Sequence, residues 1–156
     1  MRIHALTNDD IVDTVNDLIE TCKDGEFGFN ACAKHTTLNE LREMFLRRGN
    51  ECRAAAAELQ PYVLQYGGHP DQGGTASGAL HRGWVAVRGS LVGYSDAAML
   101  DECERGEVAA KASYSKALGR EMLPEPLLSL VQRQEMTVHK SHDQIKAMRE
   151  RLHTSV

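Results

Sequence analysis

The sequence has few aromatic residues and no long apolar run. Only 5% of its 156 residues are Phe, Trp or Tyr, and it contains 1 Trp and 4 Pro. No apolar stretch approaches the roughly 18 residues that a membrane span requires, and Met1–Ala5 does not resemble the start of a secretory signal. These features predict a cytoplasmic protein that does not associate with membranes.

Neither sign of charge dominates the chain. Lys and Arg total 18 against 22 Asp and Glu, which leaves a net charge of −4 with acids and bases interleaved. This balance argues against nucleic acid and anionic membranes as partners. The cysteines form no C-x-x-C pair, and we interpret them as reduced thiols that pack as small hydrophobes: Cys22, Cys32, Cys52 and Cys103.

A helical pattern fills most of the sequence. With 42% hydrophobic residues the chain can bury a core, and its length suits a single domain over 1–156. Apolar residues recur at spacings of three and four in four segments, near 7–35, 37–66, 96–118 and 126–152. The sequence therefore predicts an all-α four-helix bundle.

Local signals mark the ends and the interior of these helices. Thr7 or Asn8 is placed to cap the first helix, and Thr36 or Thr37 the second, where Thr37 followed by Glu40 has the spacing of a capping box. Gly25 and Gly28 lie inside the first helix, where each costs about 1 kcal/mol relative to Ala. We expect these two glycines to bulge or kink that helix.

Glycine accumulates between the second and third long helices. Eight of the 13 glycines lie in 67–93. Apolar residues at helical spacing around Trp84 predict a short helix over 77–93, while the alternation in Trp84–Val87 leaves a strand as the alternative. A connection of about 28 residues greatly exceeds the two to eight typical of bundles, and it can recross the bundle. The second and third long helices are then parallel, as in a ferritin-like fold.

Several short motifs are distributed along nearly the whole chain: Asn16–Thr21, Asp24–Gly25, Glu58–Gln60, Gly78–Trp84, Asp101–Glu107, Leu123–Pro126 and His142–Asp143. Together they resemble an uncharacterised bacterial family of ferritin-like four-helix-bundle proteins, known only as a domain of unknown function. The resemblance implies a ferritin-like fold and a bacterial cytosolic protein. It implies no established activity.

A complete ferritin-like di-iron site is not expected. Such a site needs a Glu on each of two helices and a Glu-x-x-His on each of the other two, because positions i and i+3 share a helix face. We expect no Glu-x-x-His pair in this chain. Ala54 stands three residues after Glu51, and Val138 stands three residues after Glu135.

A helical wheel brings several polar side chains to the core faces at one level. We interpret them as a buried polar layer in which Arg48 neutralises Glu26 and Glu107, since an unpaired buried carboxylate is very costly. Glu20 and Asp24 are expected to point outward.

The alternative is a depleted metal site. It would hold iron or manganese through Glu26, Glu107, Glu135 and His142. Arg48 counts against this alternative because a guanidinium repels a metal cation. Under the preferred interpretation no cofactor is expected.

Three functions remain open at this point. The first is a non-catalytic bundle that acts through its surface or by self-association, as a homodimer that uses Val85 and Val92. The second is a divergent carboxylate-bridged metal-binding protein or oxidoreductase of the ferritin-like class. The third is a small-molecule pocket under the crossover, lined by Trp84, His81 and Tyr94.

Overall fold

The computed structural model of the chain describes residues 6–70, 84–85, 89–119 and 122–154. Four long α-helices account for most of them: α1 (Asn8–His35), α2 (Asn39–Gln65), α3 (Asp96–Gly119) and α4 (Leu127–Thr154). The prediction of four long helices is confirmed, and these ranges contain no strand. The short helix expected over 77–93 and its alternative strand fall largely outside the described residues, but the predicted end of the helix is wrong, because residues 89–93 form a bend and a turn.

The helix starts show one correct and one wrong cap prediction. Thr7 caps α1 in a complete capping box. The box expected at Thr37 and Glu40 is absent, because the hydroxyls of Thr36 and Thr37 instead donate to the carboxylate of Asp96, at 2.5 and 2.6 Å. Partial burial raises the pKa of Asp96, but these hydrogen bonds outweigh it and hold the pKa below its ordinary value. The turn between α1 and α2 is thereby fastened to the start of α3.

Contacts between α1 and α3 show that these two helices are antiparallel. Asp96, at the start of α3, meets the end of α1. Further along, the Sγ atoms of Cys103 and Cys32 lie 3.7 Å apart. Near the end of α3, the hydroxyl of Tyr114 lies 3.3 Å from Sγ of Cys22. The order of these contacts runs in opposite directions along the two helices.

The remaining contacts complete the topology. Arg151 donates to Glu40 at 2.9 Å, and Arg133 donates to Glu58 at 2.7 Å, so α2 and α4 are antiparallel. The short turn between α1 and α2 makes these helices an antiparallel hairpin. Because α1 is antiparallel to both α2 and α3, α2 and α3 run parallel, which is the ferritin-like arrangement predicted from the long connection.

Trp84 lies between α1 and α3. Its side chain is 2% exposed and packs edge-on against Phe29, with ring centroids 5.1 Å apart. A Cβ atom at Gly28 of α1 would lie 2.4 Å from the indole, and one at Gly106 of α3 would lie 2.2 Å from it. Only glycine leaves room for the ring on both helices.

The glycines inside α1 therefore serve close packing. Gly25 faces α2, where a Cβ atom would lie 2.8 Å from Sγ of Cys52. The helix continues through both glycines from Asn8 to His35. In the described ranges, no helix is both long enough and apolar enough to cross a membrane.

Two apolar clusters form the core, one towards each end of the bundle. One contains Leu18, Leu59 and Val131, and the other contains Phe45, Leu100 and Ile145 among its members. All of these side chains are nearly or fully buried. The level between the two clusters is where the polar interior lies.

Candidate functional site

An ion pair occupies the level between the two apolar clusters. Arg48 of α2 is 7% exposed and Glu107 of α3 is 2% exposed. Nε of Arg48 donates to Oε2 of Glu107 and Nη2 donates to Oε1, both at 3.2 Å, which is a bidentate pairing. The guanidinium also lies over the ring of Phe29, 5.8 Å from its centroid. The prediction that Arg48 neutralises Glu107 inside the core is confirmed.

Glu26 does not join this pair, so that part of the prediction is wrong. It is half-buried and lines a groove on the outer face of α1. Gly25 faces α2 at this level, and the next residue along a helix is turned away by about 100°. The second carboxylate near Arg48 is Glu51 of its own helix, with Oε1 at 3.6 Å from Nη1.

Two buried carboxylates were missed by the helical wheel. Asp24 was expected to point outward, yet it is fully buried. Thr21, one turn earlier, donates to Ser113 of α3 at 3.2 Å, so this side of α1 also faces a neighbour. Glu102 of α3 is buried as well and pairs with Arg105. A single apolar stripe identifies one buried face of a helix, whereas α1 packs against α2 on one face and against α3 on another.

A cavity of about 210 Å³ lies beside the ion pair. Its inner wall carries the thiols of Cys22 and Cys52, the indole of Trp84, the methyl of Ala110 and the ring of Tyr114. A pocket lined by Trp84 was one of the three sequence hypotheses, but its position differs. Tyr94 is exposed, and His81 lies outside the described residues.

The outer end of the cavity lies between α2 and α4. Small side chains line it there: Ala54, Ala55 and Thr137. These two helices approach each other less closely than α1 does α2 or α3 does α4. The salt bridge between Glu58 and Arg133 spans this gap at the edge of the opening.

A chain of hydrogen bonds runs from the interior to this opening. The hydroxyl of Tyr114 donates to Oε1 of Gln134 at 2.7 Å and also lies against Sγ of Cys22. Nε2 of Gln134 donates to the carbonyl of Ala55 at 3.2 Å and to Oε1 of Glu58 at 3.3 Å. The polar groups of this wall are therefore already hydrogen-bonded to one another.

Burial keeps the two cavity thiols and the phenol of Tyr114 neutral well above pH 7. Burial raises the pKa of Cys22 to about 11, although the hydrogen bond with Tyr114 and the charge of Arg48 oppose the change. Burial also raises the pKa of Cys52 and the pKa of Tyr114 well above their ordinary values. All three groups are neutral at pH 7.

The structure does not bring the four candidate metal ligands together. Glu107 is engaged in its ion pair, Glu26 lies on the outer face of α1, and Glu135 is half-buried beside the core. Nε2 of His142 lies 3.5 Å from a carboxylate oxygen of Glu104. Within the part of the chain that is described, no three His, Cys, Asp or Glu side chains are placed to share a metal ion.

Two features of α4 qualify the sequence-based reasoning. A Glu-x-x-His does occur in the chain, at Glu150 and His153, but both side chains are exposed in the last turns of the helix. Gln134 is the inward residue at this point of α4, whereas the helical wheel placed Glu135 at the edge of the core face. Its signal was its spacing of three from Val131 and four from Val138, which places it on the buried stripe.

The helix order and directions, together with a polar level in the core, define a ferritin-like four-helix bundle. The chain belongs to the DUF2383 family, a domain of unknown function, which matches residues 10–120. No curated protein matches it. Among solved structures, a mutant of Dps1 from Mycobacterium smegmatis is similar, with a TM-score of 0.73 and 16% sequence identity over 90% of this chain and 95% of that chain. At that identity the similarity shows a shared fold alone.

Proposed function

We propose that this ferritin-like domain binds a small organic molecule in the cavity beside Arg48 and Glu107 and performs no chemistry on it. The cavity itself carries the proposal. Protein interiors are close-packed, with few voids larger than a water molecule, so a space of about 210 Å³ in the middle of a bundle is unusual. Ligand sites in bundles lie between helices in this way.

The groups around the cavity favour binding over catalysis. Arg48 and Glu107 neutralise each other, and the phenol of Tyr114 is already hydrogen-bonded. A cysteine attacks as a thiolate, and burial raises the pKa of Cys22 to about 11. These groups are not poised to exchange a proton with a substrate near pH 7.

Native mass spectrometry of the untagged protein tests this proposal. We expect the purified wild type to carry an organic molecule that is released on denaturation. Ala110→Leu, which places three extra carbons in the cavity, should abolish the bound mass. Ala112→Leu, at an exposed position of the same helix, is the matched control and should keep it. Equal occupancy in both variants would contradict the proposal.

We further propose that the chain forms a homodimer through the segment before α3. Val85 and Val92 support this, because their side chains are 50% and 77% exposed. Sedimentation velocity at micromolar concentrations should give about twice the chain mass of 17.3 kDa, and Val92→Asp should lower it. A wild-type protein that is monomeric at all concentrations would contradict the proposed homodimer.

We infer that the protein belongs to the bacterial cytoplasm. The sequence motifs of the bacterial family support the source. Four free, buried cysteines support a reducing compartment.

A further inference from the structure

We infer that the ligand is a neutral aromatic compound of about eight to ten non-hydrogen atoms with one hydrogen-bond acceptor, because a cavity of about 150 Å³ holds benzene. The cavity here measures about 210 Å³, which leaves room for a ring with a short substituent. This inference rests on the proposed function, namely that the cavity is a ligand site.

The charges around the cavity argue for a neutral ligand. Inside, the guanidinium of Arg48 is matched by the carboxylate of Glu107 in a bidentate pair. An anion placed there would compete with Glu107, and a cation would face Arg48. In either case the ligand would lose its hydration without gaining a free counter-charge. Glu51, Glu58 and Arg133 also line the cavity, but their side chains are 41%, 45% and 64% exposed and are screened by solvent.

In the described part of the wall, Arg48 offers the ligand a buried hydrogen-bond donor. Nε and Nη2 of Arg48 donate to Glu107, whereas Nη1 lies 3.6 Å from Glu51, which is too long for a hydrogen bond. The N–H groups of Nη1 can therefore donate to a carbonyl or similar acceptor. Tyr114 and Gln134, which also line the wall, are already paired with protein atoms.

The inner wall favours an aromatic ring over an alkyl chain. It combines the indole of Trp84 with the sulfur atoms of Cys22 and Cys52. Indole rings pack with other rings in edge-to-face or offset geometry, and polarisable sulfur also packs well against a ring. The methyl groups of Ala55 and Ala110 leave space for a flat molecule between α2 and α4.

A series of probes with the same shape tests the charge and the acceptor. Acetophenone, benzoate and benzamidinium have the same number of non-hydrogen atoms but are neutral, anionic and cationic, and ethylbenzene lacks the acceptor. Isothermal titration with the full chain should show acetophenone binding at least about ten-fold more tightly than either ion. Ethylbenzene should bind several-fold more weakly than acetophenone.

Two variants test where the probe binds and how the charges of the cavity affect its binding. Ala110→Leu should weaken acetophenone binding at least about ten-fold, while Ala112→Leu should leave it unchanged. Glu107→Gln removes the partner of Arg48, so the preference should reverse and benzoate should bind more tightly than acetophenone. Because the wild-type comparison decides the ligand charge by itself, an unstable Glu107→Gln protein leaves the test intact.

The outcomes separate this inference from the proposed function. Tighter binding of benzoate or benzamidinium, lost in Ala110→Leu, overturns the neutral ligand but keeps the cavity as the site. Acetophenone binding that is equal in wild type and Ala110→Leu places the probe elsewhere and overturns the inference. Failure of all four probes overturns the ligand class alone if native spectra show a cavity-dependent bound molecule, and overturns both proposals if they do not.

Discussion

At the residue scale, Arg48 and Glu107 depend on each other. Each side chain is more than nine-tenths buried, and each would be very costly in the core without the other. Phe29 adds a ring face beneath the guanidinium. The pair therefore stabilises the fold mainly by preventing an uncompensated charge.

Removing one partner should expose that dependence. We expect Arg48→Met to lower the free energy of unfolding by about 3–5 kcal/mol at pH 7, because Glu107 is left charged and unpaired. The loss should shrink as the pH falls toward about 4–5, since burial raises the pKa of an unpaired carboxyl in the folded state and favours its protonation. Urea denaturation at several pH values measures both effects.

A double variant supplies the control. Arg48→Met combined with Glu107→Gln removes both charges and should be much more stable than Arg48→Met alone at pH 7. Equal stability of the single and double variants would refute the dependence. Stabilisation of Arg48→Met by added iron or manganese would instead favour the metal alternative, because a repelling cation has been removed.

We predict that the protein loses stability at alkaline pH, because its thiols and the phenol of Tyr114 are buried. The pKa of Cys22 is raised by burial from 9.0 to about 11, and that of Tyr114 is raised as well. These groups ionise at lower pH in the unfolded chain, so the free energy of unfolding should stay level to about pH 8 and fall as the pH rises above about 9.

Urea denaturation between about pH 8 and about pH 10 checks this expectation. The variant Cys22→Ala with Cys52→Ala should show a shallower fall, because two of the responsible groups are gone. The same slope in the variant and the wild type would show that the decline arises elsewhere.

Sequence spacing found Arg48 and Glu107 but misplaced Glu26 and Asp24. A charged residue on an apolar stripe is visible in a helical wheel, whereas the exact face of α1 is set by Gly25, whose missing side chain lets α2 approach. Counting apolar side chains leaves glycine out of the stripe. The rotation of α1 about its axis therefore depends on close packing at glycine, which the spacing of apolar residues does not show.

At the scale of the helices, two glycines in helix interiors should respond differently to alanine. Gly106→Ala places a Cβ atom 2.2 Å from the indole of Trp84. Overpacking of this kind costs about 1–3 kcal/mol, which exceeds the gain in helix propensity of about 1 kcal/mol. We expect a net loss of stability in thermal or urea denaturation.

Gly49→Ala is the matched change on α2. Its Cβ atom would meet Oδ1 of Asn30 at 2.6 Å, and this atom belongs to the end of a flexible side chain that can move. We expect no loss, or a gain of up to about 1 kcal/mol from helix propensity. Equal destabilisation by the two variants would contradict the placement of Trp84 against Gly106.

Helix extents were predicted well because caps and apolar periodicity are local. Thr7 capped its helix as expected, but Thr37 did not, since Asp96 competes for its hydroxyl. That partner lies 59 residues away in sequence. A capping box is a local pattern, and a distant acceptor can displace it.

At the scale of the whole molecule, the length of the connection between α2 and α3 predicted the topology. No comparable sequence pattern predicted the position of the cavity, because its wall combines residues from all four helices and Trp84. Each of its residues looks ordinary on its own helix. Only their convergence, where α2 and α4 separate, creates the space.

Filling that space should be tolerated where filling packed core is not. Ala110→Leu adds three carbons inside the cavity, and we expect stability to be unchanged or raised by up to about 2 kcal/mol, at about 0.8 kcal/mol per buried carbon. Ala56→Leu, in the packed core of α2 and not on the cavity wall, should cost about 1–3 kcal/mol. Thermal denaturation of both variants measures these effects. A lower melting temperature for Ala110→Leu than for the other variant would contradict the prediction.

Metal content is a second property of the whole molecule. Protein purified without chelator or histidine tag should contain less than about a tenth of an equivalent of iron, manganese or zinc, because the described carboxylates are engaged with arginine or lie apart. Elemental analysis measures this directly. A stoichiometric amount of any of these metals would support the alternative of a metal site.

The position of Trp84 gives the molecule a built-in optical probe. It is the single Trp of the chain, and it is buried between Gly28 and Gly106. Its fluorescence should therefore be blue-shifted and poorly quenched by acrylamide as long as the ring stays between α1 and α3. Circular dichroism reports the helices separately, so comparing the two signals during unfolding shows whether the indole leaves its place before the bundle melts.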